Sequence, residues 1–195
     1  MKELTTRDIQ SLNTKNKIAE CANNLFTTNS YEDVKITDIC KCAGVSVGAF
    51  YHYFKSKEDI INDAYNDFDA LTEEMVKKKA FTSSTEAILF LLYCQVKAIA
   101  DRGYIFGTCY FKNQLTNKVK YILNKDRYFY KKLLSEVTAA IATSEIHYEN
   151  PKKLTDLLLR ISRGSIYDWC LHEGSYDLVE QTIADIKFML NFLKK

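Results

Sequence analysis

The sequence predicts an all-α protein with a three-helix N-terminal domain and a larger helical C-terminal domain, about nine helices in all. Glycine occurs 6 times and proline once in 195 residues, whereas β-sandwiches and barrels need many turn residues. Apolar residues recur three and four positions apart, as in amphipathic helices, and helix-capping residues precede several of these stretches. With 47% hydrophobic residues, the chain is long enough to bury the core of one large or two small domains.

The N-terminal domain is predicted to comprise residues 1–56, of which residues 1–14 are polar and expected to form a flexible arm. A first helix is expected over residues 15–28, where apolar side chains share one face: Ile18, Ala22, Leu25 and Phe26. A second, short helix has its own apolar face and ends at Gly44. Ser46 is a favourable N-cap for a third helix that extends to about Phe54.

The C-terminal domain is predicted to comprise residues 57–195. It is expected to begin with a helix whose start is marked by a capping-box pattern at residues 56–59. No flexible linker follows this start, so one continuous helix is expected to join the two domains. Further helix starts are marked by Ser83 with Glu86, by the dipeptide Asn150-Pro151 and by Ser175. The six helices of this domain are expected over residues 57–79, 84–101, 104–115, 118–143, 151–172 and 176–193.

Charge and cysteine content indicate an intracellular protein. The 27 basic and 25 acidic residues leave a formal net charge of +2, so any interaction with nucleic acid depends on where charges are placed locally. The N-terminus lacks the apolar segment of a secretory signal, and the 6 cysteines are therefore expected to be reduced thiols. The longest apolar run, residues 87–94, is far shorter than the roughly 20 residues of a membrane span. We predict a soluble, cytoplasmic protein with no membrane partner.

Residues 34–59, VKITDICKCAGVSVGAFYHYFKSKED, fit a helix-turn-helix. This motif joins two short amphipathic helices at a steep angle through about 3–4 residues that often include glycine, and the tripeptide GVS at 44–46 meets this description. Phe50 and Phe54 lie four positions apart and are predicted to face the core. The small residues at positions 48 and 49 would let the backbone approach a DNA groove closely.

The string AGVSVGAFYHYFKSKEDI, residues 43–60, closely resembles the signature of the TetR family of repressors. Leu25-Phe26, Tyr31 and the ITDI segment at 36–39 also resemble that family, so the likeness covers about residues 18–61. The resemblance implies a DNA-binding domain whose third helix enters the major groove. It also implies that the second helix and the start of the fourth hold phosphates of double-stranded DNA.

Carried over by position, the resemblance implies a set of DNA-contacting residues. These are Lys35, Thr37 and Lys57 for the DNA backbone, Ser46, Val47, Gly48 and Ala49 for base edges, and Tyr51, His52 and Tyr53 for phosphate or base. Val47, Gly48 and Ala49 carry no side-chain hydrogen-bond donor, which limits direct readout by paired hydrogen bonds. We therefore expect contacts with thymine methyl groups and some reading of DNA shape.

The last two helices are predicted to form a homodimer. A single helix-turn-helix binds one half-site weakly, and symmetric dimers on palindromic operators overcome this weakness. Apolar stripes on both helices supply the expected interface: Leu158, Ile161, Ser165, Trp169, Val179, Ile183, Ile186 and Leu190. Packing of these stripes within one subunit is the alternative. The family resemblance favours a four-helix bundle between subunits.

The middle of the chain is rich in aromatic residues. TetR-like proteins generally hold a small-molecule pocket between these helices, and ligand binding changes the spacing of the two DNA-reading heads. The expected pocket residues are Tyr65, Phe68, Phe90, Tyr93, Cys94, Phe106, Cys109, Tyr110, Phe129 and Trp169. They would suit a small hydrophobic or aromatic inducer. The alternative is that they form plain core.

The leading prediction is therefore a ligand-released repressor, and three other classes are alternatives. An enzyme is disfavoured, since the sequence has no phosphate loop, nucleophile elbow or zinc-hydrolase pattern, and no cofactor is expected. A metal or thiol sensor is suggested by Cys40-x-Cys42 and Cys170-x-His172, but residues two apart on a helix point to nearly opposite sides, and no metal site is predicted. A TetR-like DNA binder without a small ligand is the third class.

Overall fold

The computed structural model describes residues 5–116 and 118–194, and this part of the chain is helical, with no strand. The predicted all-α class is therefore confirmed. The helices are α1 Thr6–Thr28, α2 Ile36–Ala43, α3 Val47–Tyr53, α4 Lys57–Lys78, α5 Ser84–Ala100, α6 Gly103–Thr116, a short 3₁₀ helix Tyr121–Leu123, α7 Tyr128–Ala142, α8 Pro151–Leu171 and α9 Leu178–Phe192. Across the described ranges, no helix is both long and apolar enough to cross a membrane.

The chain divides into two compact units, Met1–Ala64 and Tyr65–Lys195. The boundary falls inside α4, which is one uninterrupted helix. The division expected from the sequence, between residues 56 and 57, lies at the start of that helix.

Helix α1 begins at Thr6, much earlier than the start predicted at residue 15. Thr5 and Asp8 form a capping box: the Thr5 hydroxyl accepts from the Asp8 amide at 3.2 Å, and the Asp8 carboxylate accepts from the Thr5 amide at 2.9 Å. Residues 6–14 are thus helical, and the predicted flexible arm is wrong for them. Residues 1–4 of that arm lie outside the described residues.

The helix predicted over residues 118–143 is shorter than expected and begins only at Tyr128. The side chain of Asn124 accepts from the Asp126 amide at 2.9 Å, and such local bonds compete with helix formation. At α9 the predicted cap, Ser175, is also wrong. Asp177 caps this helix by accepting from the Glu180 amide at 2.9 Å.

Each unit has its own apolar core. In the first unit, α1, α2 and α3 bury Ile18, Ala22, Phe26, Ile39, Ala43 and Phe50. In the second, a cluster of buried side chains comes mainly from α5, α7, α8 and α9 and includes Ile88, Leu91, Leu133, Val137, Leu158 and Ile186. Replacing one large member of such a core by alanine typically costs about 2–5 kcal/mol.

Candidate functional site

The turn between α2 and α3 is built by local hydrogen bonds. Gly44 has the left-handed backbone angle φ of 65° that closes α2. Two residues later the Ser46 hydroxyl accepts from the Ala49 amide at 3.1 Å and caps α3. The left-handed Gly44 and the Ser46 cap set where α3 begins, and both were predicted from the sequence.

Helix α3 has one buried and one exposed face. Phe50 is fully buried, and Phe54 just beyond the helix is nearly so. On the rest of the helix surface Val47 is 43% and Tyr51 53% exposed, and large apolar side chains this exposed are available to a partner. Among the other residues expected to approach DNA bases, Ser46, Gly48 and His52 are exposed and Ala49 is half-buried.

The residues expected to bind the phosphates of DNA differ in their exposure and in whether they already have partners within the unit. Lys35 and Thr37 are exposed at the start of α2, where the Lys35 amide donates to Asp38 at 3.0 Å. Two more exposed lysines, Lys41 at the end of α2 and Lys55 just after α3, have positions suited to the same role. No sequence motif singled them out, because only the folded unit reveals their exposure.

Lys57 is engaged inside the first unit, which differs from the predicted phosphate contact. Its ammonium group donates to the backbone carbonyls of Tyr31 at 2.5 Å and Val34 at 2.6 Å. It also lies 4.2 Å from the centre of the Tyr31 ring, a cation–π distance. Lys57 thus holds the α1–α2 connection against the start of α4.

Tyr53 also has a partner within the unit. The hydroxyl of Ser11, on the early part of α1, donates to the Tyr53 hydroxyl at 3.3 Å. The sequence placed Ser11 in a flexible arm, so this contact could not be anticipated.

The comparisons with known proteins agree with this geometry. The family model described as bacterial regulatory proteins, tetR family, matches residues 18–64. The chain is 29% identical to the HTH-type transcriptional regulator QacR of Staphylococcus aureus over 58% of its own length and 65% of QacR, just under two thirds of that protein. It is 25% identical to the fatty acid metabolism regulator protein of Bacillus subtilis, over 90% of this chain and 93% of that one.

Residues 18–64 thus form a DNA-binding domain of the TetR family, and the chain is similar to transcriptional regulators. The recognition made from the sequence is confirmed, and the function is that of a DNA-binding regulator, not of an enzyme. The fold is also similar to that of a solved relative. The structure of FadR from Bacillus subtilis in complex with stearoyl-CoA has a TM-score of 0.69 and 20% identity, covering 89% of this chain and 96% of FadR.

Half of the residues expected at the dimer interface are buried within their own unit. Leu158, Trp169, Ile186 and Leu190 are at most 6% exposed, and Ile161, Ser165, Val179 and Ile183 are half-buried. These four residues pack α8 and α9 into the unit's own core. The large exposed apolar side chains of the two helices are Tyr167, Leu171, Phe188 and Phe192, 53–71% exposed.

The residues expected to line a ligand pocket of the regulator do not meet at one place. Phe90 lies against Phe81, with ring centres 5.4 Å apart, and Phe68 lies against Phe129 at 5.3 Å. Tyr65, Phe106 and Tyr110 do come together, with ring centres 4.6 Å apart for Tyr65–Tyr110 and 6.0 Å for Phe106–Tyr110. Tyr93 and Tyr110 are half-buried, whereas Cys94, Cys109 and Trp169 are buried.

Two arginines that the sequence reading did not single out lie beside this tyrosine pair. We call Tyr65, Tyr110, Arg127 and Arg163 the tyrosine–arginine cluster. The Arg127 guanidinium lies 4.6 Å from the centre of the Tyr65 ring and binds Asp69 through two hydrogen bonds of 2.8 and 3.0 Å. Arg163 occurs within the apolar stripe of α8, four residues after Leu159 and three before Ile166. A charged residue within an apolar stripe is the sequence signal that could have revealed Arg163.

Two cysteines that the sequence predicted to be reduced thiols lie within disulfide-bonding reach of each other. Cys21 of α1 and Cys42 of α2 form a disulfide with their Cα atoms 5.8 Å apart. Cys40 and Cys94 are buried, and burial raises the pKa of both thiols, that of Cys94 to about 11. Within the described ranges, no group of three or more His, Cys, Asp or Glu side chains is placed to hold a metal ion.

Proposed function

We propose that this regulator is a cytoplasmic repressor that binds a palindromic operator as a homodimer and is released by a small-molecule inducer. The observation that carries the proposal is the exposed surface of α3: Gly48 and His52 lie opposite the buried Phe50, and Val47 and Tyr51 are exposed beside them. A short helix anchored on one side and exposed on the other suits insertion into a major groove.

In the proposed complex, α3 lies in the major groove and the start of α2 lies at the DNA backbone. Lys35 and Thr37 would bind phosphates, since both are exposed there. The face of α3 offers few hydrogen-bond donors to bases, so its contacts with thymine methyl groups and with DNA shape are proposed to dominate. Lys57 would act indirectly, by positioning the α1–α2 connection.

Selection of bound duplexes from a random library tests this proposal with the full-length protein. We expect the recovered sites to contain two inverted half-sites, centred about one helical turn of roughly 10–10.5 base pairs, or a multiple of it, apart. The recognised positions should be rich in A·T pairs. Recovery of single half-sites, or of sites read mainly through guanine, would contradict the proposed mode of binding.

The proposed dimer forms through the outer face of α8 and α9. Phe188 and Phe192 of α9 are 67% and 71% exposed, and their ring centres lie 4.8 Å apart. Tyr167 and Leu171 are exposed on α8. Exposed apolar surface of this kind often marks a protein–protein interface, and two such helix pairs related by symmetry would form a four-helix bundle.

Replacing Phe188 with glutamate is expected to convert the dimer into monomers, because the change removes an apolar contact and introduces a charge that the interface would have to bury. The dissociation constant of the dimer should rise by about 100-fold or more, measured by sedimentation equilibrium. Leu115→Glu is the matched control, since Leu115 is an apolar side chain that is 74% exposed but belongs to α6 and not to α8 or α9. A Phe188→Glu protein as dimeric as the wild type would rule out this interface.

The inducer is proposed to bind in the unit Tyr65–Lys195. FadR, a relative with the same fold, is described in complex with stearoyl-CoA, so the fold can take a ligand with a large apolar part. Tyr65, Phe106 and Tyr110 form the aromatic group best suited to a hydrophobic or aromatic inducer. Release from DNA would follow if the ligand binds more tightly to a conformation with low DNA affinity.

A further inference from the structure

The Arg163 side chain is half-buried and forms no salt bridge in the described part of the chain. One of its terminal nitrogens, Nη2, donates to the Ile122 carbonyl at 2.7 Å. Its Nε–H is buried and has no acceptor. Asp156, the carboxylate that contributes to its electrostatics, instead accepts from Lys125 at 3.1 Å and from the Tyr130 hydroxyl at 3.2 Å. Burial lowers the pKa of the Arg163 guanidinium from its ordinary value, as expected for a charge removed from water.

The rest of the tyrosine–arginine cluster does not neutralise this charge. Arg127 is balanced by Asp69, with which it forms a salt bridge of 2.8 Å. Burial raises the pKa of the Tyr110 hydroxyl to about 12 and raises that of Tyr65 as well. Both tyrosines are therefore neutral at pH 7 and supply no negative charge. The guanidinium of Arg163 is left as the uncompensated charge of the cluster.

Asn113 supplies a second buried donor without an acceptor. Its side chain is nearly inaccessible, and its Nδ2 has no hydrogen-bond partner. Its carbonyl oxygen accepts from Gln114 at 3.0 Å, and the Gln114 carbonyl accepts from the Ile122 amide at 3.1 Å. Since the Ile122 carbonyl also accepts from Arg163, these bonds hold Asn113 and Arg163 in one connected group between α6, the 3₁₀ helix and α8.

A buried guanidinium N–H and a buried amide N–H without acceptors are costly, and in native proteins such groups are normally bound by protein, ordered water or a ligand. We infer that Arg163 Nε and Asn113 Nδ2 bind the anionic group of an organic ligand whose apolar part lies against the rings of Tyr65, Tyr110 and Phe106. This inference deepens the proposed function, on which it rests, and assigns the inducer to the class of hydrophobic or aromatic organic anions. A cationic ligand would meet two guanidinium groups.

Two fluorescent dyes that share their rings test the assignment: anilinonaphthalene sulfonate, which is an anion, and N-phenylnaphthylamine, which is neutral. The full-length wild type is expected to bind the anionic dye more tightly. Arg163→Met should weaken binding of the anionic dye by about tenfold or more, the effect of losing a charge-assisted hydrogen bond. Binding of the neutral dye should stay unchanged. Arg160→Met is the matched control, because Arg160 is an exposed arginine on the same helix.

Circular dichroism checks whether Arg163→Met folds, and Asn113→Leu provides a second variant if it does not. Asn113→Leu should also reduce the preference for the anionic dye over the neutral one. The assignment is overturned if the wild type binds neither dye, if it prefers the neutral dye, or if the preference survives in both variants. Measuring DNA binding to the selected operator distinguishes failure of the ligand assignment from failure of the proposed function. Normal DNA binding without any anion preference refutes only the ligand class. Anion preference without release of DNA by the dye upholds this inference and refutes ligand-induced release.

Discussion

Replacing Gly48 with glutamate is expected to abolish operator binding while leaving the protein folded. Gly48 lies exposed near the start of α3, and a Cβ atom added there meets only the Ser46 hydroxyl, at 3.9 Å. The helix tolerates the change, because glycine is unfavourable inside helices and an acidic residue is favourable in the first turn. In the proposed complex, however, the carboxylate would face a polyanion with one charge per roughly 1.7 Å. Operator affinity in a gel-shift titration should fall by about 100-fold or more.

Gly48→Ala is the control for this variant, because it also removes the glycine but adds no charge. It should keep most of the DNA affinity, and both variants should unfold at or slightly above the wild-type temperature. Wild-type affinity in Gly48→Glu would mean that α3 does not read the operator. Loss of affinity together with a lower unfolding temperature would point to a folding defect instead.

Reduction of the Cys21–Cys42 disulfide is expected to destabilise the first unit strongly. The bond joins α1 to α2 across a sequence separation of 21 residues. A cross-link of this span restricts the unfolded chain and stabilises the folded state by about 3 kcal/mol in the chain-entropy model. Urea denaturation of the oxidised protein, with and without dithiothreitol, should show a drop of about this size in the free energy of unfolding. Cys42 is exposed, so the reductant can reach the bond.

A Cys21→Ser/Cys42→Ser variant controls for other effects of the reductant and should unfold at the same urea concentration with or without it. Titration of thiols in the unfolded, unreduced wild type should find two fewer than the 6 cysteines of the sequence. A full count of thiols, or a wild type indifferent to reductant, would disprove the cross-link.

The helix-turn-helix could be predicted from the sequence because its signals are local. Gly44 ends α2, Ser46 caps α3, and the four-residue spacing of Phe50 and Phe54 assigns their faces. Each signal depends on backbone geometry within a few residues. The start of α1 has an equally local signal, the capping box of Thr5 and Asp8. It was missed because the polar composition of the segment favoured an arm.

The roles of Lys57 and of the cysteines depended on partners distant in sequence. Lys57 binds the carbonyls of Tyr31 and Val34, and backbone acceptors leave no mark in the residue pattern. Cys21 and Cys42 were not paired in advance, since the spacing of cysteines does not specify their connectivity. Arg163 was visible as a charge within an apolar stripe, but its unsatisfied Nε–H depends on α6 and on the 3₁₀ helix.

The sequence by itself determined the helical class, the DNA-reading motif and the family, because all three are encoded in short-range spacing of apolar, capping and turn residues. Only the tertiary structure decided which side of α8 and α9 faces inward. Both helices carry apolar residues on two sides, and periodicity identifies a stripe without saying what covers it. Packing against α5 and α7 buries Leu158 and Ile186 and leaves Phe188 and Phe192 exposed. That choice depends on the combined shape of several helices, which no single segment encodes.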